Sequence, residues 1–430
     1  MGEPNDPSDA PVRSRTAMRS AKVVAAWLAL AVVATGAIAA RVLVARVGHN
    51  NDVDAWNEVA GLVEAGRNVY ASTGRYNYGP TWFLVLGGLR WLERHTAATL
   101  GIAGTESLHI YIASFLALAD VGIAALLARR AGFTAAIIFL FCPVSVYVTG
   151  FHSQFDNVAV LLAMVAWFVL VGRDADAATG QPGWTRVIAS GLVLGASLAT
   201  KHLMLFFPLW LLVARPTFLS RGRAVVLGAL AYAVFFCSFV PFALTPAARD
   251  GIAQHVFGYR SFVGVNALFV RATDLVVPYM FVEQPVLLRG IPFPGGLMLL
   301  FVAVMLLTGR AVATRRPRDM LWDYLIAIVA FAIASAEQYL AIPLVACAVY
   351  RRHAAAWIYM AVATAVLIMS PVYYGVLPFH APLSNLLGHT RFACYHAQFW
   401  LVVLLLKDWL PGAWRRSFKP GIRKLIHGAA

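Results

Sequence analysis

Long apolar stretches separated by short polar ones set the rhythm of this chain. Those at residues 23–44, 109–128, 133–149, 158–171, 187–200, 203–214, 224–244, 296–308, 321–335, 339–350, 355–373 and 392–406 read as helices approaching the roughly 20 residues a bilayer requires. The stretch 80–92 differs. Trp82, Phe83, Leu86 and Leu89 make one apolar face and Arg90, Glu93 and Arg94 a polar one, which predicts an interfacial helix rather than a span. With that helix set aside, Arg129-Arg130, Arg215 with Arg221 and Arg223, Arg310 with Arg315, Arg316 and Arg318, and Arg351-Arg352 all fall on one side, the side where basic loops are retained. The expected fold is therefore all-α: a polytopic transmembrane helical bundle of about twelve spans with both ends inside. It occupies residues 23–414 as one domain, with interfacial helices in external loops 45–107 and 245–294. Residues 1–22 read as a disordered cytoplasmic tail and 415–430 as a basic one.

Composition supports the lipid environment. Hydrophobic residues make up 60% of the chain and charged ones 13%, with mean hydropathy +0.71, too few charges to cover a soluble protein of this length. The formal charge of +15 sits in short clusters between apolar runs, which argues for loop orientation and against a nucleic-acid partner. Cys142, Cys237, Cys347 and Cys394 lie in or beside apolar runs with no CxxC or metal spacing, and read as small buried hydrophobes. No internal repeat is visible, which weakens a transporter built on repeated halves.

Polar groups collect on the external side. Asp52 and Asp54 follow the first apolar run, with His49, Asn50 and Asn51 alongside. Two acids at a membrane edge are either solvated in a wet loop or used. The turn Gly150-Phe-His-Ser-Gln-Phe-Asp-Asn157 concentrates His152, Gln154, Asp156 and Asn157; helix capping would explain one of its last two residues but not the set. Lys201 and His202 interrupt an apolar hairpin, where a cation needs an anionic partner or water, or else snorkels to the interface. In the segment 254–264, Tyr259 and Arg260 offer a sugar-stacking ring and a phosphate ligand, a mixture equally usual in interfacial helices. Glu337 and Gln338 lie at the tip between two apolar runs.

Taken together, these stretches resemble the GT-C glycosyltransferases, membrane-embedded enzymes that use polyprenyl-phosphate sugars. Asp52-Val-Asp54-Ala-Trp56 looks like the Asp-x-Glu-Ala stretch of the dolichyl-phosphate-glucose glucosyltransferases, and Asn77-Tyr-Gly-Pro80 is similar to the Tyr-Pro-Pro stretch that opens their interfacial helix. His152-Ser-Gln-Phe-Asp-Asn157 resembles their His-x-Gln-(Phe/Tyr)-(Asp/Asn) turn, and Lys201-His-Leu-Met-Leu-Phe206 their Lys-Gln-Met-Ala-Leu stretch. The likeness is best up to Phe206. At Ala336-Glu-Gln-Tyr-Leu-Ala341 the chain departs from their His-Glu-Lys-Ala motif and keeps only Glu337.

The resemblance implies an inverting hexosyltransferase, with mannose or glucose as the sugar, in a bacterial plasma membrane. Its partners would be a polyprenyl-phosphate sugar donor, a glycolipid or glycan acceptor and the bilayer. Asp52 would be the general base, with Asp54 orienting the acceptor or sharing that role, and two carboxylates this close would push one pKa upward. Lys201, His202 and Arg260 would hold the donor phosphate. His152, Gln154, Asp156, Tyr259, Glu337 and Gln338 would contact sugar or acceptor. No metal and no cofactor is expected. A lipid-linked-sugar flippase or transporter is the first alternative; it should carry working acids inside spans, where Asp120 and Asp323 are the only candidates. An O-antigen-type ligase or polymerase is the second, and a structural scaffold, which would not explain the clustering, the third.

Overall fold

The computed structural model describes residues 10–102, 107–172, 180–258, 295–313, 319–332, 336–373 and 394–407. Helices connected by short turns form all the regular structure, and no strand occurs among these residues. Helix α1 (Ala10–Val47) starts well before its apolar portion. Residues 10–22 are therefore helical and not the disordered tail that their polarity suggests. Pro11 falls in the first turn, where a missing N–H costs nothing, and propagation from an existing helix is cheap. Helix α2 (Asn51–Glu64) leaves the apolar part of α1 at 94°. It is capped by Asn50, whose side chain accepts the Asp52 backbone N–H.

The short α3 (Val69–Ser72) leads to α4 (Pro80–Thr96), which opens with proline in the first turn. Trp82, Phe83, Leu86 and Leu89 are buried while Leu84 and Trp91 are exposed, so the apolar face read from the sequence is the one that packs, against α2. Glu93 departs from its expected polar face. It is buried, where Arg90 pairs with it at 2.6 Å and Ser107 donates to it.

Helix α5 (Ser107–Ala131) is long and apolar. Helices α6 (Phe133–Phe141) and α7 (Pro143–Gly150) are one apolar run bent by 52° at Pro143, which lacks the N–H to continue the ladder. Helix α8 (Asp156–Val171) follows the polar turn. Helices α9 (Trp184–Thr200) and α10 (Phe207–Ala214) reverse by 120° through the extended Lys201 and a 3-10 turn. Helix α11 (Arg221–Phe239) packs closely on α9 because Gly191 and Gly195 present no side chain; a Cβ on Gly195 would lie 2.4 Å from Cβ of Val234. After α12 (Pro246–Gly251) come α13 (Gly295–Ala313), α14 (Met320–Ala330), a 3-10 turn Glu337–Ala341, α15 (Leu344–Val349), α16 (Ala354–Tyr373) and α17 (Cys394–Leu405).

Among the described residues two helices, α5 and α11 with its short extension, are long and apolar enough to cross a membrane. Counting each bent pair as one span raises that to five. The other apolar helices run 10–17 residues. Large apolar side chains lie outward, among them Leu28, Val32, Leu118, Val225, Phe236 and Leu307. In water each would forgo about 1.5–3 kcal/mol of burial, a loss that lipid contact removes.

The interior carries one dense polar node. Arg41 of α1 and Asp120 of α5 are both buried and pair at 2.7 Å. Arg41 also donates to the carbonyls of Ala37 and Leu140, each at 3.0 Å, and to Ser145 Oγ at 2.6 Å. Thr149 and Asn157 donate to Asp120 at 2.8 and 2.9 Å. The node ties α1, α5, α7 and α8 together. A second acid, Asp323, accepts from Tyr350 at 3.0 Å and lies 3.7 Å from Lys407.

Candidate active site

The site assembles where the start of α2, the 150–157 turn and the α9–α10 reversal meet. Each contributes for a local reason. The Asn50 cap fixes the first turn of α2 and sets Asp52 at its head. In the 150–157 turn Ser153 takes φ 48°, a left-handed conformation costly for a residue with a Cβ, and the turn carries His152 and Gln154 into the same interior. At the reversal, Gly79 ahead of α4 sits against the end of α9, where a Cβ would fall 2.0 Å from the Ala199 carbonyl oxygen. That close approach brings Tyr78 beside Lys201.

A continuous set of hydrogen bonds joins these pieces. Asn50 Nδ2 donates to Asp52 Oδ2 at 3.0 Å and to His152 Nδ1 at 3.1 Å, which leaves the imidazole hydrogen on Nε2. Gln154 Nε2 donates to the same Asp52 Oδ2 at 2.5 Å. Lys201 Nζ lies 3.4 Å from Gln154 Oε1 and 2.7 Å from Asp156 Oδ2. His152, Gln154, Asp156 and Lys201 are buried; Asp52 is half-buried. Aromatic rings wall the cation, with Lys201 Nζ 4.9 Å from the Phe155 centroid, 5.2 Å from Tyr78 and 5.7 Å from Tyr339. Phe155 in turn stacks on Trp82 at 4.3 Å, edge-on to Trp56.

Neither Asp156 nor Asn157 caps α8. Asp156 is spent on Lys201, and Asn157 reaches Asp120 and the Leu116 carbonyl. Behind Asp156 a cavity of about 20 Å³, room for a water molecule, separates it from Asp120.

Burial raises the Asp52 carboxyl above its ordinary 3.8; the Asn50 hydrogen bond and the Lys201 charge oppose that rise, Asp156 adds to it, and Arg75 opposes it. The like charge comes from Asp156. Asp54, expected to share the site, is exposed on α2; residues two apart on a helix are about 200° apart around it and cannot face one point. Burial also lowers His152 to about 4, so it is neutral near pH 7.

Of the residues singled out in the sequence, Asp52, His152, Gln154, Asp156 and Lys201 converge. His202 lies beside the group, its ring stacked 6.2 Å from Tyr78. Glu337 and Gln338 belong to the 3-10 turn that packs on α7 and places Tyr339 over Lys201. Tyr259 and Arg260 lie outside the described residues. Sequence reasoning missed Asn50 as the bridge, Tyr339 and Phe155 as walls, and Arg75, which donates to the Asn51 carbonyl at 3.2 Å and pairs with Glu58 at 3.3 Å. Asn50 was legible as a cap; Arg75 carried no signal. Among the described residues no group of three or more His, Cys, Asp or Glu side chains is placed to hold a metal. No family model, curated protein or solved structure matches the chain.

Proposed function

We propose that the chain is an integral-membrane glycosyltransferase. It moves a hexose, mannose or glucose, from polyprenyl phosphate to an acceptor hydroxyl on the extracytoplasmic face of a bacterial plasma membrane. The topology in this reading is about twelve spans with both ends inside, taken from the basic loops. The supporting observation is that Asp52, Gln154 and Lys201, from stretches far apart in sequence, form one hydrogen-bonded set around a half-buried carboxylate.

Asp52 takes the acceptor hydroxyl proton as that oxygen bonds to the anomeric carbon from the face opposite the leaving group. The bond from that carbon to the phosphate oxygen breaks, and the lipid phosphate leaves with the electron pair. A phosphate is already a stable anion, so it needs positive charge and hydrogen-bond donors more than a general acid. His202 is a candidate donor, and Arg260 is the cation on the same expected face. Lys201 is already paired with Asp156. A relay-type transporter expects an intramembrane acid with capacity to spare, and Asp120 is instead matched by Arg41, Thr149 and Asn157.

The test is turnover of radiolabelled polyprenyl-phosphate-mannose and -glucose by purified protein in lipid. Asp52→Asn is expected to lose about 10²–10⁴-fold in kcat, whereas Asp54→Asn, at an exposed position, stays within about tenfold of wild type. Full activity of Asp52→Asn sinks the base assignment. Exchange of lipid-linked sugar across vesicles without consumption of either donor makes the protein a transporter.

A further inference from the structure

Two amides face one oxygen of Asp52. Asn50 Nδ2 and Gln154 Nε2 both donate to Oδ2, whereas no described residue donates to Oδ1. An amide turned end for end would set a carbonyl oxygen against the carboxylate, which disfavours that orientation, and a second contact on each amide oxygen fixes it further. For Asn50 that contact is the Asp52 backbone N–H, which bonds its Oδ1 at 3.1 Å. For Gln154 it is the Lys201 ammonium, 3.4 Å from Oε1 and anchored at 2.7 Å by Asp156. Gln154, Asp156 and Lys201 are each 1–3% exposed, so bulk solvent has little access to these bonds.

We infer that Lys201 is a positioning residue: its buried ion pair with Asp156 orients the Gln154 amide, which with Asn50 pins Oδ2 of Asp52 and leaves Oδ1 as the oxygen that takes the acceptor proton. The assignment of the proton rests on the glycosyl-transfer reading; the orientation does not. Lys201 is thereby removed from the phosphate site. Moving its ammonium toward a phosphate would leave Asp156 charged and alone in the interior and release Gln154. Charged groups approach Asp52 from three directions: Lys201 at the end of α9, Asp156 at the start of α8, and Arg75 from the loop before α4, itself held by Glu58. His152 reaches Asp52 through Asn50, and Arg90 and Glu93 pair beside Asn57, further along α2.

The experiment uses full-length protein in lipid with Gln154→Leu, Lys201→Met, Lys201→Arg and the neutral pair Lys201→Met/Asp156→Leu. The Asp52 carboxyl is titrated by infrared difference spectroscopy without substrate, its band assigned by loss in Asp52→Asn, and kcat and KM are followed against pH. In the neutral pair both charges are lost, and because Lys201 lowers Asp52 by more than Asp156 raises it, the pair is read against Gln154→Leu, which keeps both charges and reports the amide alone. The expected result is an Asp52 midpoint raised by about one pH unit in Gln154→Leu, Lys201→Met and the neutral pair. A kcat reduced about tenfold or more, with KM little changed, should accompany it. Lys201→Arg keeps the cation and the wild-type midpoint. A folded neutral pair with wild-type midpoint and kcat overturns the inference and makes the ion pair a packing device. A raised donor KM at unchanged kcat in Lys201→Met overturns it in favour of a phosphate ligand. If the wild type transfers no sugar, the reaction reading fails while the substrate-free titration still decides the orientation.

Discussion

At the scale of single residues, burial separates groups that look alike in the sequence. Asp52 and Asp54 sit two positions apart on one helix, yet one heads a hydrogen-bonded set and the other faces outward. His152 is enclosed enough to be held near 4. Its folded pKa is depressed below the ordinary 6.5, so between those values the unfolded chain binds a proton that the folded one does not. Stability conferred by the neutral ring is present above 6.5 and is lost as pH falls through about 4. Thermal unfolding followed from pH 7 to pH 4 should therefore show a shallower acid loss in His152→Gln than in the parent. An unchanged slope would mean the ring is hydrated. The Asp156 and Asn157 pair shows the same lesson from the other side: both have the composition of helix caps, and tertiary partners claim both instead.

Among elements, the decisive features are places where two backbones meet. The apolar face of α4 and the break at Lys201 were readable because each follows from local pattern: an amphipathic period in one case, a cation interrupting an apolar run in the other. The angles between elements were not readable, since 94° at the start of α2 and 120° at the α9–α10 reversal depend on what packs against them. Gly79 is one such contact. Gly79→Ala would drive a Cβ into the Ala199 carbonyl, 2.0 Å away, and α4 would have to withdraw from α9. The expected cost is about 1–3 kcal/mol, together with a loss of turnover as Tyr78 leaves Lys201; denaturation midpoints and transfer rates on one preparation would check both. A variant with wild-type stability would show that the contact gives way freely.

For the molecule as a whole, the Arg41 and Asp120 node joins helices far apart in sequence and sits beneath the candidate site, sharing Asn157 and the small cavity with it. Asp120→Ala leaves a buried guanidinium without its counter-ion and should cost about 3–5 kcal/mol, whereas Arg41→Met/Asp120→Leu removes both charges and should recover most of that. Unfolding midpoints of the two variants make the comparison. A double variant no better than the single would mean that the other bonds of the node, to Ser145, Thr149 and Asn157, matter more than the charge pair.

Sequence by itself determined the all-helical class and the apolar character of the helices. It also determined the face on which α4 packs and most of the residues that meet at the site, because period, hydropathy and the placement of polar interruptions are local properties of the chain. Tertiary structure alone decided that Asp54 turns away, that Lys201 is neutralised by Asp156, and that Asp120 has Arg41 as its partner. It also decided that Asn50 and Gln154 grip one oxygen of Asp52. Those outcomes depend on which distant groups reach an atom and how far water is excluded from it, and no spacing along the chain encodes either.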